Sequence, residues 1–149
     1  MLFRYPLFFM KKTLSFWLPV FLWCGLIFTM SSIPTLPKVG FIWWDFIMKK
    51  SAHLIEYGIL YFLLWRAITK ASLKVKNRCL RVETQGVDLK DIKIWIIPLI
   101  FGLLYAMSDE FHQSFVMGRT SKVRDVGFDF LGMLLMLYWL KKKTKINLL

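Results

Sequence analysis

Four apolar runs, Leu14 to Met30, Leu54 to Ile68, Ile94 to Met107 and Val126 to Leu140, alternate with charged segments along the chain. Backbone inside hydrocarbon must satisfy its own hydrogen bonds, so runs of this kind fold as helices. Each is shorter than the ~20 residues that cross a bilayer core, and each must take in flanking polar residues to complete a span. The expected helices cover about 14–31, 50–69, 92–110 and 125–141. With 57% hydrophobic residues and a mean hydropathy of +0.52, the 149 residues carry more apolar surface than a soluble core of this size can bury. The expected fold class is therefore all-α, a polytopic membrane protein built as one domain from a bundle of four transmembrane helices.

Translocating basic loops is disfavoured, so the Lys and Arg residues orient the bundle. Three precede the first run, seven lie in residues 69–93 and four follow Leu140, against three in each of the two remaining loops. Both termini are expected to be cytoplasmic, with residues 70–91 forming a basic cytoplasmic loop. The net charge of +12 then belongs to inner loops and lipid headgroups. A nucleic-acid partner is not expected, because no basic groove interleaved with aromatics is visible. Acidic residues show the opposite bias: Asp45, Glu56, Asp109, Glu110, Asp125 and Asp129 fall toward the outer side, and only Glu83, Asp88 and Asp91 toward the inner.

Several segments have a plain structural reading. Lys11-Lys12 ahead of an apolar stretch resembles a secretion signal, but the run is long, carries Trp17, Pro19 and Trp23, and lacks a small-residue cleavage site, so it is expected to stay as the first helix. Leu2 to Met10 is expected to lie along the inner interface. Phe41, Trp43, Trp44 and Phe46 read as an interfacial aromatic belt. Cys24 and Cys79, in unrelated surroundings, are not expected to pair.

Ionisable groups set directly against hydrocarbon lose hydration that a partner, a cavity or a substrate has to replace. Lys49, His53 and Glu56 recur at i, i+4 and i+7 on the second helix, with Tyr57 beside them and Lys50 preceding them. Asp109, Glu110, His112 and Gln113 end the third helix, and Asp125 and Asp129 lie one turn apart on the fourth. The expectation is that these stripes turn inward at one depth and pair with each other and with Arg119, which a turn at Gly118 would aim at the acidic stripe or at a ligand.

Two readings of this set stand side by side. In one, the polar groups only tie short helices together through interhelical hydrogen bonds. In the other, they line a pocket in which His53, Glu56, Asp109, Glu110 and His112 are candidate acid–base groups, while Lys50, Tyr57, Gln113, Arg119, Asp125 and Asp129 bind substrate. Ser51 and Ser108 show no activating context for a nucleophile. A metal is a further option, since His53 with Glu56 and Glu110 with His112 offer two nitrogens and two oxygens, although the spacing matches no strong motif; metal and cofactor stay unassigned.

The same residues carry a resemblance. Lys49-Lys50-Ser51-Ala52-His53-Leu54-Ile55-Glu56-Tyr57, followed by Ser108-Asp109-Glu110-Phe111-His112-Gln113 through Gly118-Arg119, and then Asp125-Val126-Gly127-Phe128-Asp129-Phe130-Leu131-Gly132, resemble the linked signatures of the VanZ-like family of small bacterial membrane proteins. Ser31-Ser32-Ile33-Pro34 after the first helix fits as well, so the resemblance spans about residues 14–140. The chain departs from the pattern at Met117, where Pro is frequent, and at Phe130, where a small hydroxyl residue is common. The resemblance implies a multi-pass protein of the bacterial cell membrane and cell envelope. The family's naming member is associated with low-level resistance to the antibiotic teicoplanin, a phenotype that the fold alone does not transfer. The expected function is to bind or modify an anionic lipid or a lipid-linked envelope precursor at an outward-facing site. The competing expectation is a non-catalytic binding or assembly protein, and the crowding of charge toward one side argues against ion translocation.

Overall fold

The computed structural model describes residues 5–34, 42–79, 92–119 and 122–146, with side chains over 14–34, 47–72, 92–119 and 122–144. They form four helices: α1 (Tyr5–Ser32), α2 (Ile42–Cys79), α3 (Lys93–Gln113) and α4 (Val123–Ile146). Each grows from one apolar run and outlasts it.

The largest departure from the sequence expectation is in α2. It does not stop near residue 69 but continues to Cys79, so Lys70, Lys74, Lys76 and Arg78 belong to a helix rather than to a loop. The extension holds no Gly or Pro, and its Ala, Leu, Lys and Arg residues favour helix once a preceding turn has nucleated it. Arg81 and Lys90 lie outside the described residues. Similarly, Tyr5 to Met10 are the first turns of α1, not a separate interfacial segment. Pro6 is tolerated there because a first-turn N–H has no intrahelical acceptor anyway. Of the expected aromatic belt, Phe41 and the side chains of Trp43, Trp44 and Phe46 lie outside the described residues.

Among the described residues, two helices are long and apolar enough to cross a membrane, α1 over Leu14–Ser32 with a mean hydropathy of 1.7 and α3 with 1.5. In α2 and α4, Glu56, Arg66 and Asp129 interrupt the apolar stretch. Large apolar side chains, among them Phe21, Leu22, Ile100, Phe101, Leu104, Leu135 and Trp139, nevertheless face outward from α1, α3 and α4. So much exposed apolar surface suits lipid and not water.

The helices run alternately up and down. α2 and α4 are parallel, because Lys50 meets Asp125 and His53 meets Asp129 in ascending order. α1 and α3 are parallel in the opposite sense, since Cys24 meets Tyr105 and Ser31 meets Gln113. α2 and α3 each touch every other helix, while α1 and α4 share no contact among the described residues. The core between them is built from Val20, Ile27, Leu60, Tyr61, Leu64 and Met133.

Lipid tails are as apolar as leucine, so close packing and hydrogen bonds have to hold such helices together. Aromatic donors supply several of these bonds: Trp23 Nε1 to the Glu56 carbonyl at 3.0 Å, Tyr61 Oη to the Trp95 carbonyl at 3.0 Å, and Tyr105 Oη to the Cys24 carbonyl at 2.6 Å. Packing is tightest where Gly132 of α4 faces Gly58 and Leu54 of α2. A Cβ on Gly132 would stand 2.9 Å from the Leu54 carbonyl carbon, so only glycine permits this approach.

Candidate functional site

The α2–α4 contact brings the first polar groups together. Lys50 Nζ lies 2.5 Å from Asp125 Oδ1. About one turn deeper, His53 Nδ1 lies 3.1 Å from Asp129 Oδ1, and Asp129 is only 1% exposed. An ionised carboxylate only accepts, so this contact assigns the proton to Nδ1. Nε2 of His53 is then the nitrogen open to other chemistry.

Asp109 stands across from this pair on α3. Its Oδ2 accepts from Tyr57 Oη at 3.3 Å and from Gln113 Nε2 at 3.0 Å, and Gln113 also donates to Ser31 Oγ at 2.9 Å. Asp109 Oδ1 is buried without a hydrogen-bond partner among the described residues. Glu56 lies within Coulombic range of His53, Asp109, Asp129 and Arg119. Its side chain is half-buried, and its backbone carbonyl holds Trp23. Buried polar atoms are nearly always satisfied, so the unsatisfied Asp109 oxygen near a second carboxylate suits a proton, water or another group.

His112 and Glu110 have other roles in this geometry. The Ser32 hydroxyl donates its one hydrogen to the Phe28 carbonyl at 2.7 Å, so at 3.0 Å from His112 Nε2 it accepts. His112 therefore donates from Nε2, and its ring packs on Phe28 with centroids 4.5 Å apart. It ties α3 to α1. Glu110 is buried, and its Oε1 accepts the backbone N–H of Lys122 at the start of α4, where a carboxylate also complements the helix dipole. The four donors considered for a metal are thus dispersed, and no group of three acidic, His or Cys side chains among the described residues is arranged to hold an ion. Ser51 and Ser108 are exposed.

Arg119 takes its hydrogen-bond partners on α1. Gly118 does form the turn, with φ at 78° in the left-handed region that glycine adopts without strain. Among the described residues the guanidinium hydrogen-bonds the end of α1 and stays within Coulombic range of Glu56. Nε donates to the Ile33 carbonyl at 3.2 Å and Nη2 to the Met30 carbonyl at 2.7 Å. Pro34 has no N–H to give Met30 its i+4 bond, which leaves that carbonyl only a long 3.4 Å bond from the Ile33 N–H, and Ile33 lies past the end of α1; a planar fork of donors serves both carbonyls. Arg119→Ala is expected to lower stability by about 1 kcal/mol and to speed amide exchange in residues 31–33. Arg119→Lys should recover little of either, and an unchanged exchange pattern would refute the capping role.

Ser31, Ser32, Trp23, Phe28 and Tyr105 complete the constellation, yet none had been assigned a site role from sequence. The serines gave a usable signal, as two small hydroxyls ending an apolar helix. Trp23 and Tyr105 bond to backbone carbonyls on other helices and leave no trace in residue spacing.

Residues 16–142 match the family model described as VanZ/LLP1. No curated protein and no solved structure matched the chain.

Proposed function

Because the chain belongs to the VanZ/LLP1 family, we propose that it is a four-span protein of the bacterial cell membrane with both termini cytoplasmic and an acid–base site facing outward. The distribution of charge supports this orientation. Lys70 over the Phe16 ring, Lys141 over Trp95 and Lys143 over Trp139 at one end, and Lys50 over Phe128 at the other, suit the two interfaces, and the excess of Lys and Arg in residues 69–93 and after Leu140 favours the first end as the inner one. From Lys70 back to Lys50, α2 rises about 30 Å, the thickness of a bilayer core. His53, Glu56 and Tyr57 then lie within the outer leaflet, up to about 10 Å below Lys50.

The observation that carries the functional reading is the His53–Asp129 pair near two further carboxylates, the half-buried Glu56 and Asp109, whose buried Oδ1 is unsatisfied among the described residues. In this reading Asp129 orients the imidazole, and His53 Nε2 exchanges a proton with a bound headgroup. Glu56 and Asp109 hold polar or protonated parts of the ligand. Arg119, fixed on the end of α1, directs its remaining N–H groups to an anion at the rim. The ligand class is an anionic lipid or a lipid-linked envelope precursor, and tolerance of glycopeptides such as teicoplanin is the cellular effect to examine.

A second reading, a non-catalytic binding or assembly protein, is favoured by the number of polar groups that pair helix to helix: Ser31 with Gln113, Ser32 with His112, Tyr57 with Asp109 and Lys50 with Asp125. Native mass spectrometry of protein released from membranes separates the two. The first predicts a co-purifying lipid whose occupancy drops at least tenfold both in His53→Ala and in His53→Gln, whose amide N–H can still donate to Asp129 and which should melt closer to wild type. A His53→Ala protein that keeps its lipid, or that fails to insert, would favour the second.

A further inference from the structure

Exposed apolar side chains continue past the polar constellation toward its end of the bundle. On α2, Met48 precedes His53, and on α4 Val123 precedes Asp129; at about 1.5 Å per residue they stand about 8 and 9 Å farther out. The outward face of α3, formed by Ile97, Ile100, Leu104 and Phe111, keeps helical spacing, and Phe115 prolongs it beyond Gln113. The backbone allows this because the Phe115 N–H donates to the His112 carbonyl and the Val116 N–H to the Gln113 carbonyl, both at 3.1 Å, so the chain keeps winding in tight turns. Phe111 and Phe115 meet edge to face at 5.1 Å. Met117 at 84% and Val123 at 89% are the most exposed large apolar side chains among the described residues. The opposite side of the same turn is fixed to α1, through Gln113 to Ser31 and Arg119 to the Met30 carbonyl, which holds Phe115 and Met117 outward.

We propose that Met30, Ile33, Met48, Phe115, Met117 and Val123 form an apolar collar seated in the lipid of the outer leaflet, so that the α3–α4 turn lies along the lipid surface instead of projecting into water. Continuity selects this partner. The collar ends the same face that Ile100 and Leu104 turn toward lipid, and on α3 no charged side chain interrupts that face from Ile97 to Phe115. A second copy of the chain fits less well, because Met30 and Val123 belong to α1 and α4, which share no contact among the described residues and flank the bundle on different sides. Lipid surrounds both flanks at once. Lys49, Lys122 and Arg124 are exposed among the collar residues, and such side chains lay their stems on apolar surface while their charges reach the headgroup layer. The inference rests on the four-span reading above and deepens it: His53, Asp109 and Asp129 lie beneath the lipid surface, and their ligand arrives from the membrane.

The chain's own methionines report the outcome. Met48 and Met117 belong to the collar, and Met107 lies on the outward face of α3. Hydroxyl radicals generated in water convert the methionine sulfur they reach to the sulfoxide. The unmodified full chain is placed one per phosphatidylcholine nanodisc, and oxidation at each methionine is read by mass spectrometry against a free methionine-containing peptide in the same solution. Met48 and Met117 are expected to oxidise at least tenfold more slowly than the peptide, close to the rate of Met107. Oxidation of Met48 or Met117 at the peptide rate with Met107 protected would overturn the collar and leave the four-span reading standing. Oxidation of all three at that rate would remove the spans as well. Protection that arises only in discs carrying two chains would assign the collar to a second copy and overturn the proposal. Phe115→Asp, a change at an exposed position, should speed Met117 oxidation at least fivefold while Met107 stays protected. An unchanged Met117 rate in that variant would also overturn it.

Discussion

Gly132→Leu is expected to force α4 off α2 and to destabilise the bundle by at least about 3 kcal/mol. The Cβ of any larger residue would stand 2.9 Å from the Leu54 carbonyl carbon and 3.0 Å from its Cα, so the obstacle is backbone that no rotamer change can move aside. Separation at this point also breaks the rungs above it, because Lys50–Asp125 and His53–Asp129 depend on the same interhelical spacing. Thermal melting in detergent should show a large drop for Gly132→Leu and almost none for Gly25→Leu, where the space is open. Equal melting of the two variants would mean that the α2–α4 contact does not set the register.

Dependence on one glycine shows what the residue pattern could and could not announce. The four helices were readable because lipid-like apolar runs leave backbone no alternative to helix. The true length of α2 was not, since residues 70–79 lose the apolar signal while keeping good helix formers and no breaker. Helical spacing marked His53, Tyr57, Asp109 and Asp129 as facing inward, but not the lysine: Lys49 is exposed, and Lys50 meets Asp125. Their pairing was not readable, because Tyr57 meets Asp109 and His53 meets Asp129 only through the parallel register of α2 with α4 and the passage of α3 beside both. The likeness of the two histidines in sequence was misleading for the same reason. Both abut carboxylates along the chain, but His53 faces one across the bundle and His112 faces a serine hydroxyl. Arg119 was the least legible: its partners are backbone carbonyls more than eighty residues away, and a carbonyl has no sequence identity.

Asp129 offers the sharpest division between a structural bundle and a working site. Asp129→Ala removes the acceptor of a buried pair and leaves His53 Nδ1 facing a void, which is expected to cost about 3 kcal/mol. Asp129→Asn is nearly isosteric. Its amide oxygen accepts from Nδ1 as the carboxylate does, so the fold should be retained within about 1 kcal/mol. The negative charge that stabilises a protonated imidazole is nevertheless gone. If His53 exchanges a proton with a bound headgroup, Asp129→Asn should lower turnover of that lipid about 10²- to 10⁴-fold, the range lost when general acid–base catalysis is removed. Cells producing this variant should then match cells producing His53→Ala in teicoplanin tolerance, while purified Asp129→Asn melts like wild type. If the polar groups serve only to hold helices together, the order reverses: Asp129→Ala is impaired in proportion to its lost stability, and Asp129→Asn is indistinguishable from wild type in every cellular measurement.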